Sequence, residues 1–219
     1  MTKIINDNNL TKNNIILDKK LVVFIHGYGS NGDDLVSLCN DFKQILPNSI
    51  FLTPNAPFTK EDGCYQWFLL DRLDEDFAFN GILNVYPLLK KYLDDELIKA
   101  ELQYKDLILI GFSQGGILAT HMAFNLPDIN SVISFSGGFV NPNGVLNSKI
   151  NPNRNICFIH GVDDDVLPYQ YSYYAYKIIS KYNKKCQFFP IEQLSHSIDN
   201  RCIKIAKKFI IESNTLNND

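Results

Sequence analysis

A serine with a glycine two residues to either side, Gly111-Phe112-Ser113-Gln114-Gly115, offers this chain a nucleophile. A serine at the tip of a sharp strand-to-helix reversal is held in a strained backbone, so the positions two before and two after it must be nearly free of side chain. Gly111 and Gly115 meet that requirement. Leu107 to Ile110 reads as a fully buried strand, and the segment after the serine, with Gly116 near its start, reads as a helix packed closely on a sheet. The bland alternative is a glycine-rich turn that exposes an ordinary serine.

A serine hydroxyl is a weak nucleophile at neutral pH, so it needs a general base and a buried acid that fixes the base's tautomer. Four histidines are available. His26 and His160 each end a strand and precede a glycine, which reads as a turn role. His121 lies on the helix after the serine. Only His196 follows every acid candidate in the chain order serine, acid, histidine, and it sits in a loop after the last strand. The acid belongs in a loop at the C-terminal edge of a parallel sheet, where ligands gather. Ile156 to Ile159 leads there into Asp163, Asp164 and Asp165, and elementary physics does not choose among the three. A solvated turn is the bland reading of this run. A hard cation fits poorly, because the run lacks the spaced oxygen ligands of a calcium loop.

The oxyanion of a tetrahedral intermediate needs two donors. The backbone N–H of Gln114, next to the nucleophile, is one; the backbone N–H of Tyr28, in the loop after Leu21 to Ile25, is the candidate for the other. That loop also carries Gly27-x-Gly29-x-x-Gly32, a dinucleotide-binding pattern and the main rival from another class. The pattern expects a carboxylate at the end of the next strand, about 20 residues on, to hold the ribose. Thr53-Pro54-Asn55 stands there instead.

These groups must be carried by a scaffold. Strand-like runs recur at 21–25, 50–52, 107–110, 132–135, 156–159 and 186–191, and helical spacing at 33–46, 81–102, 114–126, 169–182 and 199–211. Alternation of this kind predicts an α/β fold, a mostly parallel sheet with helices on both faces. Ile15 to Leu17 is expected as a short antiparallel edge strand, and Asn141 to Asn155, with two Asn-Pro steps, as a surface loop. The tyrosines at 169, 171, 173, 174 and 176 suit an amphipathic helix that packs them at one end and wets them at the other. A length of 219 residues suits one domain over 1–219, with 1–13 and 213–219 expected to fray. A net charge of -3 without a basic block gives no footprint for nucleic acid. Five scattered cysteines with no CxxC pair speak against a disulfide framework or zinc site, and no apolar run approaches 18 residues, so a cytoplasmic protein is expected.

Taken together, His26-Gly27-Tyr28-Gly29-Ser30-Asn31-Gly32-Asp33, Gly111-Phe112-Ser113-Gln114-Gly115-Gly116, the run from His160 to Pro168 and the late His196 resemble the phospholipase/carboxylesterase family of α/β-hydrolases, which includes acyl-protein thioesterases. The resemblance spans residues 20 to 210. It implies an α/β-hydrolase fold without a large lid and a carboxylesterase or phospholipase-type serine hydrolase with the triad Ser113, Asp164 and His196. No metal or organic cofactor is implied. Asp164 is assigned by the resemblance, as the acid four residues after a His-Gly pair; Asp163 and Asp165 become bystanders. A proline-rich segment, Thr53 to Pro57, leading to Trp67-Phe68 matches the family's acyl site, which implies substrate contacts at Trp67, Phe68 and Leu69. Core packing is the competing role for these residues. Thioesterase-like members follow the aromatic pair with aspartate, whereas Leu69-Leu70-Asp71 here is closer to the small bacterial esterases. The implied substrates are short to medium acyl esters, lysophospholipids or acyl thioesters, with transient contact at a membrane surface. A non-catalytic binding protein on the same scaffold is the alternative.

Overall fold

The computed structural model describes residues 17–70 and 74–215. Six strands, β1 (Leu21–Ile25), β2 (Ile50–Leu52), β5 (Leu107–Phe112), β6 (Ser131–Phe135), β7 (Ile156–Gly161) and β8 (Cys186–Ile191), form one sheet in the order β2-β1-β5-β6-β7-β8. Every neighbouring pair is parallel. Parallel strands need crossovers, and four helices supply them, α1 (Val36–Lys43), α2 (Glu75–Ala100), α3 (Gln114–Asn125) and α4 (Gln170–Ile179); the β6 to β7 connection has only short 3-10 turns, and α5 (Asn200–Thr215) follows β8. Side chains alternate across the strands, so each face builds its own core. Leu21, Val23, Ile25, Leu107 and Leu109 pack under α2, α3 and α4. Val22, Phe24, Ile108 and Ile110 pack under α1 and α5. Two covered faces explain why the strands read as continuous apolar runs rather than as alternating ones.

The order of the strands decides where a site can lie. From β1 the chain moves outward to β2, then returns to β5 on the other side and continues outward to β8. The direction therefore reverses between β1 and β5. At such a switch point the loops leaving the two strands part, and a crevice opens at their C-terminal ends. The loop from Gly27 and the turn at Ser113 are these two loops.

Several elements depart from the expectations. A two-stranded antiparallel ribbon, β3 (Phe58–Glu61) and β4 (Cys64–Gln66), was not foreseen, because its strands are short and mostly polar. Helix α2 begins at Glu75, ahead of Gly81. Asp74 caps it, accepting from the Phe77 N–H at 2.6 Å, and Glu75 and Asp76 favour the positive end of the helix. Gly81 lies inside the helix because a Cβ there would stand 2.8 Å from Phe68 Cβ. Asn141 to Asn155 is not a simple surface loop: two short 3-10 turns (Pro142–Gly144 and Asn147–Lys149) turn Leu146 and Ile150 into the core. Residues 213–215, expected to fray, form the end of α5, where Asn214 hydrogen-bonds Asn130. The expected edge strand falls largely outside the described residues; Leu17 is buried without strand pairing and donates its N–H to the Ile45 carbonyl. Residues 1–13 and 216–219, the rest of the ends expected to fray, also lie outside them.

Phe42 anchors α1 on the sheet. Its ring is fully buried and meets Phe24 edge to face, centroids 5.7 Å apart. Phe42→Ala should lower stability by about 3–5 kcal/mol, the range for a truncated core aromatic. Urea denaturation followed by circular dichroism would measure it.

Candidate active site

Ser113 stands between β5 and α3 with φ 54° and ψ -118°, a conformation that costs a residue with a side chain on the order of 1–3 kcal/mol. The surroundings enforce it. The Ser113 N–H donates to the Phe135 carbonyl of β6 at 2.8 Å, and its carbonyl accepts from Ile117 N–H in α3. The flanking glycines are required by contact: a Cβ on Gly111 would lie 2.2 Å from the Gly115 carbonyl oxygen, and one on Gly115 2.0 Å from that of Ile25. Helix α3 is thereby pressed onto β1 and β5.

The Ser113 amide is occupied by the sheet, so an anion formed beside Ser113 would need other donors. Gln114 N–H, at the first position of α3, has no carbonyl a turn behind it. On the opposite wall of the crevice, a Cβ on Gly27 would be 3.4 Å from Ser113 Cβ, so the loop that leads into Tyr28 starts beside Ser113. This loop is braced: Gly29 (φ 71°) donates to Tyr65 O, Tyr65 N–H returns to Ser30 O, and Gly32 N–H is taken by Asn55 Oδ1 at 2.7 Å. Asp33 and Asp34 N–H go to Asn31 Oδ1. Most amides of the glycine pattern are therefore spent inside the protein rather than presented to a phosphate. Gly32 serves a close approach, since a Cβ there would overlap the Thr53 carbonyl at 1.9 Å.

Burial separates the three aspartates. Asp163 and Asp165 are exposed, while the Asp164 side chain is fully buried. Its Oδ1 accepts from the N–H groups of Val166 (3.0 Å) and Leu167 (2.8 Å). Its Oδ2 accepts from His196 Nδ1 at 2.7 Å and from His160 Nε2 at 3.0 Å. Burial alone would raise this carboxyl's pKa, but the His196 hydrogen bond and the Leu167 amide outweigh it and hold the value below the usual 3.8. A carboxylate only accepts, so His196 carries its proton on Nδ1 and keeps the Nε2 lone pair for another proton. The His196 ring packs on Phe112, the residue before the serine, with centroids 4.8 Å apart. Its loop is seated on β7, where a Cβ on Gly161 would strike the Leu194 carbonyl at 2.2 Å. Ser113 Oγ itself makes no hydrogen bond among the described residues. Such contacts are commonly loose before substrate arrives and tighten in the complex.

The structure thus joins Asp164 to His196, sets the His196 ring on Phe112 next to Ser113 and Gln114, brings the loop from Gly27 against Ser113, and divides the aromatic segment. Phe68 and Leu69 line a cavity of about 500 Å³ with Phe58, Phe77 and Gly81. Trp67 turns away from it. Its Nε1–H donates to the His26 carbonyl and its ring lies 5.3 Å from that of His26, so it braces the loop after β1. Two contributors were missed in the sequence. The Gln114 side chain accepts from Trp67 N–H (2.8 Å) and donates to the Phe68 carbonyl (2.6 Å), tying the cavity wall to the elbow. His160, read as a turn residue, ends β7 and reaches Asp164; its i, i+4 spacing from that carboxylate was the available signal.

The profile of the phospholipase/carboxylesterase family matches residues 8–214. Acyl-protein thioesterase 1 of Saccharomyces cerevisiae is 29% identical over 166 residues, 68% of this chain and 72% of that protein. Esterase YpfH of Escherichia coli is 24% identical over 190 residues, 86% and 80% of the two chains. Among solved structures, esterase PE8 superposes with a TM-score of 0.81 at 31% identity, over 88% of this chain and 92% of that one.

The lowered Asp164 pKa fixes a sign. The stability it confers is present above the unfolded value and is lost as pH falls through the lower folded value. Asp164→Asn should therefore be less stable than wild type at neutral pH, with the gap closing below the usual carboxylate pKa of 3.8. Urea midpoints of both proteins between pH 7 and pH 3 would test this; a gap that stays constant would refute it.

Proposed function

The chain belongs to the phospholipase/carboxylesterase family, hydrolases that act on esters, and we propose that it cleaves its substrate through an acyl-enzyme on Ser113. His196 Nε2 takes the Ser113 proton as Oγ attacks the acyl carbonyl, and the Gln114 and Tyr28 amides hold the resulting oxyanion. The imidazolium then gives its proton to the leaving group, and the carbonyl re-forms as the acyl-enzyme. Water, deprotonated by His196, attacks the acyl-enzyme and releases the acid and Ser113. The observation that carries this reading is the Asp164 to His196 hydrogen bond, which supplies the base in the tautomer the step requires. The scheme needs neither a metal nor an organic cofactor.

The cavity beside Phe68 and Leu69 supports an acyl chain as the group bound. At about 500 Å³ and with a mostly apolar wall, it is within the size range of small-molecule sites. Leu69 and Leu70 are exposed at this part of the surface, where a lipid substrate or a membrane surface would cover them. Oxygen esters of short to medium acyl chains, lysophospholipids and acyl thioesters all present the same carbonyl to Ser113, and chain length is what the cavity would select.

A series of p-nitrophenyl esters, lysophosphatidylcholine and a palmitoyl thioester, run on wild type and Ser113→Ala, would test both parts. Ser113→Ala should lower kcat by about 10⁴-fold or more and abolish labelling by a fluorophosphonate. Retention of most turnover would overturn the acyl-enzyme. Leu69→Ala should change the preference among chain lengths by roughly 10-fold, the effect of a lost apolar contact of one to a few methylenes, while leaving the shortest ester nearly unaffected.

A further inference from the structure

Two imidazoles converge on one carboxylate oxygen, and only one of them belongs to the triad. His160 is buried, its ring held between β7 and α4. Its Nε2 lies 3.0 Å from Asp164 Oδ2 and 2.8 Å from the Leu167 carbonyl. Both of those atoms only accept, so Nε2 must carry a proton. Its Nδ1 lies 2.7 Å from Ser172 Oγ, which is itself 2.8 Å from the Gly137 carbonyl. Burial disfavours the charged ring, and the Ser172 hydroxyl, whose one proton goes to the Gly137 carbonyl, sits against Nδ1. The ring is thereby clamped at both nitrogens by groups from α4 and from the loop that bears Asp164. Both ring nitrogens meet groups of the protein itself.

We propose that His160 is a positioning residue for the triad: its Nε2–H, aimed by Ser172 and the Leu167 carbonyl, fixes the Asp164 carboxylate so that Oδ2 faces His196 Nδ1. The two Oδ1 contacts come from adjacent amides of the same loop. They hold one oxygen and leave the carboxylate free to swing about it. His160, from the end of β7, supplies the contact on Oδ2 that ties the loop's acid to the sheet. The proposal rests on the acyl-enzyme reading, in which the orientation of His196 governs the rate; a misplacement of about 1 Å in such a group costs on the order of 100-fold.

The amide nitrogen of glutamine is placed to imitate histidine Nε2, and that of asparagine to imitate Nδ1. Three variants therefore separate positioning from packing. His160→Leu should lower kcat by roughly 10- to 100-fold with KM nearly unchanged, because no substrate contact is lost. His160→Gln should recover to within about 3-fold of wild type, and His160→Asn should not. The low-field proton resonance of His196 Nδ1–H should weaken in His160→Leu and His160→Asn and return in His160→Gln. Where His160→Leu fails to fold, the comparison of the Gln and Asn variants decides. Equal activity of those two, or a folded His160→Leu with wild-type kcat, would overturn the proposal. Loss of turnover in Ser113→Ala, measured alongside, tests the acyl-enzyme separately, so failure of one reading is not mistaken for failure of the other.

Discussion

A single buried carboxylate organises the candidate-site end of this molecule. Asp164 is removed from water, and an isolated charge there would be costly unless its lone pairs were met. Four N–H groups meet them, two from its own loop and two from imidazoles at the end of β7 and in the loop after β8. Each donor constrains a different part of the chain. The Val166 and Leu167 amides shape the turn into α4, His160 ties that turn to the sheet, and His196 is held in one tautomer. The neutral side chain of an asparagine would present a donor of its own where an acceptor is needed, so this network requires the acid. Removal of any one donor leaves the others arranged around a charge they satisfy less well.

The elbow depends on a different constraint, the absence of atoms. Helix α3 approaches β1 so closely that a Cβ on Gly115 would strike the Ile25 carbonyl, and one on Gly111 the Gly115 carbonyl. This proximity holds Ser113 in its positive-φ conformation, with the sheet taking its N–H. The same compression leaves a Cβ at Gly27 only 3.4 Å from Ser113 Cβ, so the loop after β1 becomes the second wall of the crevice. A strand order that reverses between β1 and β5 is what leaves room for both.

The strands and the tight turn at Ser113 were legible because their physical causes are local. A run such as Leu107 to Ile110 has only one way to be satisfied, and Gly-x-Ser-x-Gly encodes a contact within five residues. Ends and exceptions were less legible for equally physical reasons. The start of α2 is set by the Asp74 cap, while Gly81, which looked like a boundary, is small because Phe68 packs on it across the fold. The β3 and β4 ribbon lacks the apolar alternation that marks a strand, since most of its residues face water. Trp67 and Phe68 are neighbours with the same composition cue, yet one braces His26 and the other walls the cavity that Leu69 lines; nothing in adjacent aromatic letters distinguishes the two. The choice among Asp163, Asp164 and Asp165 required either a family resemblance or their burial.

The four histidines show how one side chain is given four roles by its partners alone. His26 has Nδ1 on the Gly27 carbonyl and Nε2 on the Ala56 amide, so one nitrogen must donate and the other must accept; both are consumed by main chain. His121 is buried in α3 against Phe79 and Tyr86, where desolvation pulls its pKa to about 4. His160 must keep its proton on Nε2, the very atom a base would need free. His196 alone combines a donor contact to a carboxylate through Nδ1 with partial exposure, 15% of its side chain. In the proposed acyl transfer its Nε2 accepts a proton from Ser113, and the imidazolium so formed is stabilised by an aspartate that is already ionised and already held. The base is therefore distinguished less by its own properties than by what has been done to the other three, each of which lacks an available lone pair, an anionic neighbour, or access to the crevice.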